Sequence, residues 1–241
     1  MGLIKNYGYI EHLGIKKVLH ATNLGNTLYI LNNGQKYKEF SADYNDLSDT
    51  VNIEFKRDLE TQTEYYGDTL ISFPEIVIAS DQELLGIVSD FEIGIPLTKI
   101  DPLTEIDQLL YLIEYLEQGI MNITDKGWNL EDLHEENILI NLNSQDKPVR
   151  IIDTDFYCLQ KERDKLELYR QNMKKIFFSI IYSIIPSLSA SNVWQDEEVR
   201  EKYNLASNGF LKSSEFFKFL LLRLKFNHRK EENIKTLRKS L

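Results

Sequence analysis

The feature that most constrains this chain is a change of hydrophobic periodicity near residues 90 to 100. Before it, apolar residues come in short β-prone runs broken by turn dipeptides. After it they recur at three- and four-residue spacing over long stretches. Such a chain is neither one continuous helical bundle nor an all-β sandwich, and the pattern calls for an α+β architecture. In the first part, "NTLYILNNGQKYKEF" sets two β-prone runs around Asn33-Gly34, a dipeptide that supplies the positive φ values of a tight hairpin. "FPEIVIASDQELLGIVSDFEIGIPL" does the same around Ser80-Asp81. Between the two hairpins Val51, Phe55, Leu59 and Gln62 fall on one helical face, and Ser48 or Asp49 can cap that helix.

Beyond a connector containing Pro102, Leu109, Leu112, Ile113, Leu116 and Ile120 share one face of a long helix that begins near Thr104. Two short strands, "ILINL" and "VRIID", follow around the polar turn "NSQDK". Residues 166–185 become apolar on nearly every side and read as a central core helix stopped by Pro186, and residues 216–224 read as another helix starting at Ser213 or Ser214. The division expected is a β-rich unit over residues 1–92 and a mainly helical unit over residues 93–241.

Composition narrows the function classes. The net charge of −10 over 241 residues opposes general nucleic-acid binding, which draws on positive charge to displace counterions. One cysteine cannot form an internal disulfide, which fits a reducing, cytoplasmic setting. The opening residues lack the apolar core of a signal peptide, and Asn6 stands where a myristoylation signal wants Ser or Thr. The most apolar run, residues 176–185, is half of the roughly 20 residues needed to span a bilayer. No membrane partner is expected.

The chemistry concentrates in "DLHEENILINLNSQDKPVRIIDTDF". Asp132 and Asn137 stand five apart in a loop before the strand pair, and Asp153 ends its second strand. A loop Asp can take a proton from an acceptor hydroxyl, while an Asn and a second Asp can hold Mg²⁺ against nucleotide phosphates. Oxygen-only ligands suit that hard cation, and the stretch has no zinc-like Cys or His pairing. Each residue alone would pass for a turn former; their joint order is what carries the signal.

"DLHEENILI" resembles the catalytic loop of the protein-kinase-like superfamily, and "IIDTD" resembles its metal-binding strand end. The form is closer to aminoglycoside- and choline-kinase-type enzymes and atypical kinases than to "HRDLK" protein kinases. The resemblance implies a bilobal fold with a small β-rich N-lobe and a larger helical C-lobe. It implies transfer of the γ-phosphate of ATP, with Mg²⁺, to a hydroxyl of a protein or small molecule. Asp132 would be the catalytic base, and Asn137 and Asp153 the metal ligands. Lys38, or Lys36 on the same strand face, would contact the phosphates. A helix carboxylate, Asp58 or Glu54, would pair with that lysine, and backbone groups of Asp90 and Glu92 would meet adenine.

The chain departs from the family pattern in places. No G-x-G-x-x-G precedes the first hairpin, where only "NLGN" around Gly25 could cover phosphates, and Leu130-Glu131 replaces His-Arg before Asp132. Thr154-Asp155 follows Asp153 in place of Phe-Gly, and no Ala-Pro-Glu equivalent comes after it. These departures keep open a pseudokinase that binds nucleotide or a partner without catalysis. Glu131, Glu135, Glu136 and Asp155 around Asp132 would leave the acceptor side negative and favour a cationic acceptor. His134 reads either as a phosphate contact or as a packed loop residue, and Cys158 as a buried, inert thiol.

Overall fold

The computed structural model describes residues 3–21, 25–226 and 232–241. The readings of Met1-Gly2, of "NL" in "NLGN" and of the start of the basic tail lie outside them. The chain divides into two compact units, Met1–Ile93 with Ile152–Phe156, and Gly94–Ile151 with Tyr157–Leu241. The expected second unit, residues 93–241, is therefore interrupted: Ile152–Phe156 group with the first unit.

The first unit is a mainly β structure. Its sheet has six strands, β1 (Ile4–Lys5), β2 (Ile15–Ala21), β3 (Thr27–Leu31), β4 (Lys36–Glu39), β5 (Ile76–Ala79) and β6 (Leu84–Ser89), in the order β1-β5-β6-β4-β3-β2. The β3–β4 hairpin turns at Gly34, whose φ of 88° is positive, whereas Asn33 does not take the second positive φ expected of an Asn-Gly turn. The β5–β6 hairpin encloses Ser80-Asp81, with the Ser80 hydroxyl accepting from the Gln82 and Glu83 amides.

Alternation along the strands gives the sheet two buried faces. Ile76 and Ile78 join Leu31, Tyr37 and Val88 against Ile10 of helix α1 (Gly8–Leu13). Val77 points the other way, with Phe40, Leu84 and Ile87, and meets Leu59 of a later helix. The short α2 (Ala42–Asn45) precedes that helix, α3 (Thr50–Gln62), which Asp49 caps by accepting from the Val51 amide. The first helix and the edge strand β2 were not anticipated. Lys38 shares its strand parity with Phe40, so it points to the α3 face of the sheet. At Gly86 an added Cβ would overlap the Lys38 carbonyl, so the glycine permits β6 to lie this close to β4.

The second unit is mainly helical. A three-stranded sheet, order β10-β9-β7, joins β7 (Ile95–Pro96), β9 (Ile138–Ile140) and β10 (Val149–Ile151), the last two being the expected strand pair. A two-stranded ribbon joins β8 (Trp128–Asn129) to β11 (Cys158–Leu159). Helix α4 (Ile106–Asp125) buries the expected Leu109, Leu112, Ile113, Leu116 and Ile120. Helix α5 (Lys165–Ile184) starts at an Asp164 cap and ends just before Ile185-Pro186; it buries Ile176, Phe177, Ile180 and Ile184. Helices α6 (Glu197–Ser207), α7 (Ser213–Arg223) and α8 (Ile234–Ser240) complete the unit. No helix of the described residues is long and apolar enough to cross a membrane.

Candidate functional site

Two sets of polar side chains stand out, one in each unit. In the first unit Lys38 is 5% exposed, and its ammonium meets carboxylates 115 or more residues away along the chain. It donates to Asp153 Oδ1 at 2.5 Å and forms a second ion pair with Asp155. Burial alone would lower the Lys38 pKa, but Asp155 and Asp153 outweigh it and hold the lysine charged above its ordinary range. The two aspartates differ in environment: the Asp153 side chain is 44% exposed, whereas that of Asp155 is 3% exposed. Burial raises the Asp155 pKa, and the neighbouring Asp153 adds to the rise against the pull of Lys38. One Asp155 oxygen, Oδ1, is buried with no hydrogen-bond partner.

Two local devices hold these carboxylates in place. Asp153 has a φ of 59°, a left-handed conformation that Asp tolerates better than most residues and that turns the chain sharply after β10. Gln62, the last residue of α3, is fully buried; it donates to the Thr154 carbonyl at 2.9 Å and accepts from the Thr154 hydroxyl at 3.1 Å. The Phe156 ring lies 6.0 Å from that of Phe55, also on α3.

Among the other first-unit residues singled out in the sequence, Lys36 feels the charges of this pair. It is half-buried; burial lowers its pKa, opposed by Asp153, Asp155 and Glu92. Glu54 is exposed and Asp58 half-buried on α3, while Asp153 and Asp155 are the carboxylates that meet Lys38. The Asp90 side chain accepts from the Tyr66 hydroxyl at 2.9 Å, and burial together with that bond pushes the Tyr66 pKa up to about 12. Gly25 has a φ of 80°, and the buried Asn26 caps the Ser41 amide through its side chain.

In the second unit the loop from Leu130 to Asn137 closes on itself. Asn137, 6% exposed, donates through its amide nitrogen to the Asp132 carbonyl at 3.1 Å, which explains the five-residue spacing and keeps the amide oxygen for another partner. The Asp132 side chain is exposed. His134 accepts from the Glu136 amide at 3.3 Å, a loop-shaping role. Cys158 is half-exposed rather than buried as expected, with its sulfur 3.6 Å from Glu131 Oε1 and accepting from Gln160. From α5, Asn172 and Lys175 reach the backbone of Leu130.

Sequence reasoning missed the polar partners of Gln62, Asn172 and Lys175, and it gave Asp155 the wrong neighbour. Asp155 was expected to add negative charge on the acceptor side; its carboxylate is instead buried against Lys38. The only available signal for the three others was a polar residue at an otherwise apolar helix position, and that pattern does not reveal a partner.

No cluster of three or more His, Cys, Asp and Glu residues that could hold a metal occurs among the described residues. That is compatible with Mg²⁺, which commonly takes one or two carboxylates and completes its shell with water and phosphate oxygens. The unpartnered Asp155 oxygen and the exposed Asp153 carboxylate are donors of the required hard type. A scan against protein-family models matches none of them, and a search of the curated proteins finds no match to this chain.

Proposed function

We infer that this chain is an ATP- and Mg²⁺-dependent phosphotransferase of the protein-kinase-like superfamily, working in a cytoplasmic setting and transferring the γ-phosphate to a hydroxyl. The observation that carries the reading is the buried Lys38, whose ammonium is held by Asp153 and Asp155. A lysine kept charged on a strand beside carboxylates of the hard-cation type is what binding of a metal–polyphosphate complex requires. On this reading Lys38 binds phosphate oxygens, and Asp153, Asp155 and Asn137 are the residues that would hold Mg²⁺. When bound, Mg²⁺ neutralises phosphate charge. Asp132, exposed on a loop closed by Asn137, takes the proton from the acceptor hydroxyl. Backbone groups of Asp90 and Glu92 serve adenine.

The acceptor follows from charge. Asp132, Glu135 and Glu136 leave the loop negative, so a cationic small molecule or a basic protein segment is the favoured acceptor. The test is a thermal shift with ATP, with and without Mg²⁺, followed by phosphate transfer to aminoglycosides, choline-like amines, basic peptides and acidic peptides at low and high salt. Stabilisation by Mg²⁺-ATP is expected, lost in Asp153→Asn and kept in Asp132→Asn, while transfer is lost in both. A wild-type chain that binds Mg²⁺-ATP and never transfers phosphate is a pseudokinase, and one that ignores nucleotide altogether ends the reading. A preference for acidic acceptors would refute the charge assignment.

A further inference from the structure

Leu130 lies two residues before Asp132, and α5 holds both of its backbone polar groups. The Leu130 amide donates to Asn172 Oδ1 at 3.1 Å, and its carbonyl accepts from Lys175 Nζ at 2.7 Å. These side chains are three residues apart and therefore adjacent on one helix face. Asn172 is fully buried, and its amide nitrogen donates to Thr124 Oγ1 and to the Trp128 carbonyl, both at 2.9 Å. Lys175 Nζ also lies 3.4 Å from Asn129 Oδ1, and Asn129 donates in turn to Glu131 at 2.9 Å. The backbone leading into Asp132 is thus tied to α5 from Trp128 onward.

A neutral donor could serve the Leu130 carbonyl, so the use of a lysine asks for a reason. Lys175 is half-buried, and burial lowers its pKa against the pull of Glu131, Cys158 and Asp132. A charged donor makes a stronger hydrogen bond than a neutral one. It also offsets the mutual repulsion of Glu131, Asp132, Glu135 and Glu136, which would otherwise spread the loop. Both effects hold the loop in one geometry.

We propose that Lys175 is a positioning residue for Asp132, acting through the Leu130 carbonyl and Asn129 to fix the loop, with Asn172 securing the chain just before it. This rests on the assignment of Asp132 as the group that receives the acceptor proton. A reacting group displaced by about 1 Å can lose on the order of a hundredfold in rate, so modest loosening of the loop is enough to register.

The test uses the full chain and Mg²⁺-ATP, with the acceptor that gives the highest rate in the comparison above. Turnover and nucleotide KM are measured for wild type, Lys175→Met, Lys175→Arg and Asp132→Asn, with Lys174→Met on the exposed face of α5 as control. Amide hydrogen exchange of residues 130–137 is followed in parallel. Lys175→Met is expected to lower kcat by about tenfold or more, with KM for nucleotide within about twofold of wild type and faster exchange in the loop. Lys175→Arg should recover most of the rate and the protection, and Lys174→Met should change neither.

Wild-type kcat in Lys175→Met, where Asp132→Asn has lost transfer, overturns the proposal. So does a fall in kcat with unchanged exchange in the loop. If wild type transfers no phosphate, the phosphotransfer reading fails and exchange alone decides the positioning role, with unchanged protection in Lys175→Met refuting it. Should Lys175→Met fail to fold, Lys175→Gln, which keeps a donor without the charge, takes its place under the same criteria.

Discussion

Replacing Lys38 with methionine tests whether the lysine is a structural partner of Asp155 more than of Asp153. The substitution keeps the stem that packs on the α3 face of the sheet and removes the ammonium. The Asp155 carboxylate, 3% exposed and already lacking a partner for one oxygen, is then left buried without its cation. Stranding one member of a buried ion pair costs about 3–5 kcal/mol. Asp153, 44% exposed, can turn to water, and its loss as a partner is worth at most about 1 kcal/mol.

Lys38→Met should therefore lower unfolding stability by about 3–5 kcal/mol, against at most about 1 kcal/mol for Asp153→Asn. Asp155→Asn should cost less than Lys38→Met, because the lysine keeps Asp153 and the buried negative charge disappears. The double variant Lys38→Met/Asp155→Asn should be more stable than Lys38→Met alone, giving a coupling of about 2 kcal/mol or more. Urea denaturation without nucleotide, followed by circular dichroism at neutral pH, provides all four numbers, with the m-value checking for a change of unfolding mechanism. Additive losses in the double variant, or equal losses for Lys38→Met and Asp153→Asn, would show that Asp155 does not depend on Lys38.

Two further outcomes are expected. Glu117 of α4 is 3% exposed and accepts from the Ser214 amide at 3.0 Å and the Ser214 hydroxyl at 2.6 Å, capping α7 from outside. Burial raises its pKa above the ordinary 4.5, opposed by the Ser214 and Ser213 bonds and by Lys212. The native state then holds the proton more tightly than the unfolded chain, so this group's contribution to stability falls as pH rises from 4.5 through the raised native value. In urea midpoints taken between about pH 4 and 8, Glu117→Gln should gain on wild type as pH rises, and parallel profiles would refute this. Gln62→Leu leaves the Thr154 carbonyl and hydroxyl buried without their partner and should cost about 2–4 kcal/mol. A wild-type thermal midpoint for that variant would show that Gln62 does not anchor the segment.

What the sequence determined by itself is local. The Asn33-Gly34 and Ser80-Asp81 turns, the Asp49 cap, the apolar stripe of α4 and the Pro186 stop each follow from a few neighbouring residues. Their physics acts over one turn or one hairpin, so the hairpins and the major helices were legible. The five-residue step from Asp132 to Asn137 was legible as a motif for the same reason: the Asn137 side chain closes that loop within itself. Short elements without an apolar period, such as α1 and the β8–β11 ribbon, left no such mark. What only the tertiary structure decided are the pairings over long separations. Lys38 meets Asp153 and Asp155, Gln62 meets Thr154, and Lys175 meets Leu130, because sheet and helix packing bury these groups and a buried polar group must find a partner. A sequence records which residue types stand where; the cost of removing each from water, and hence its partner, is set only when the chain closes around it.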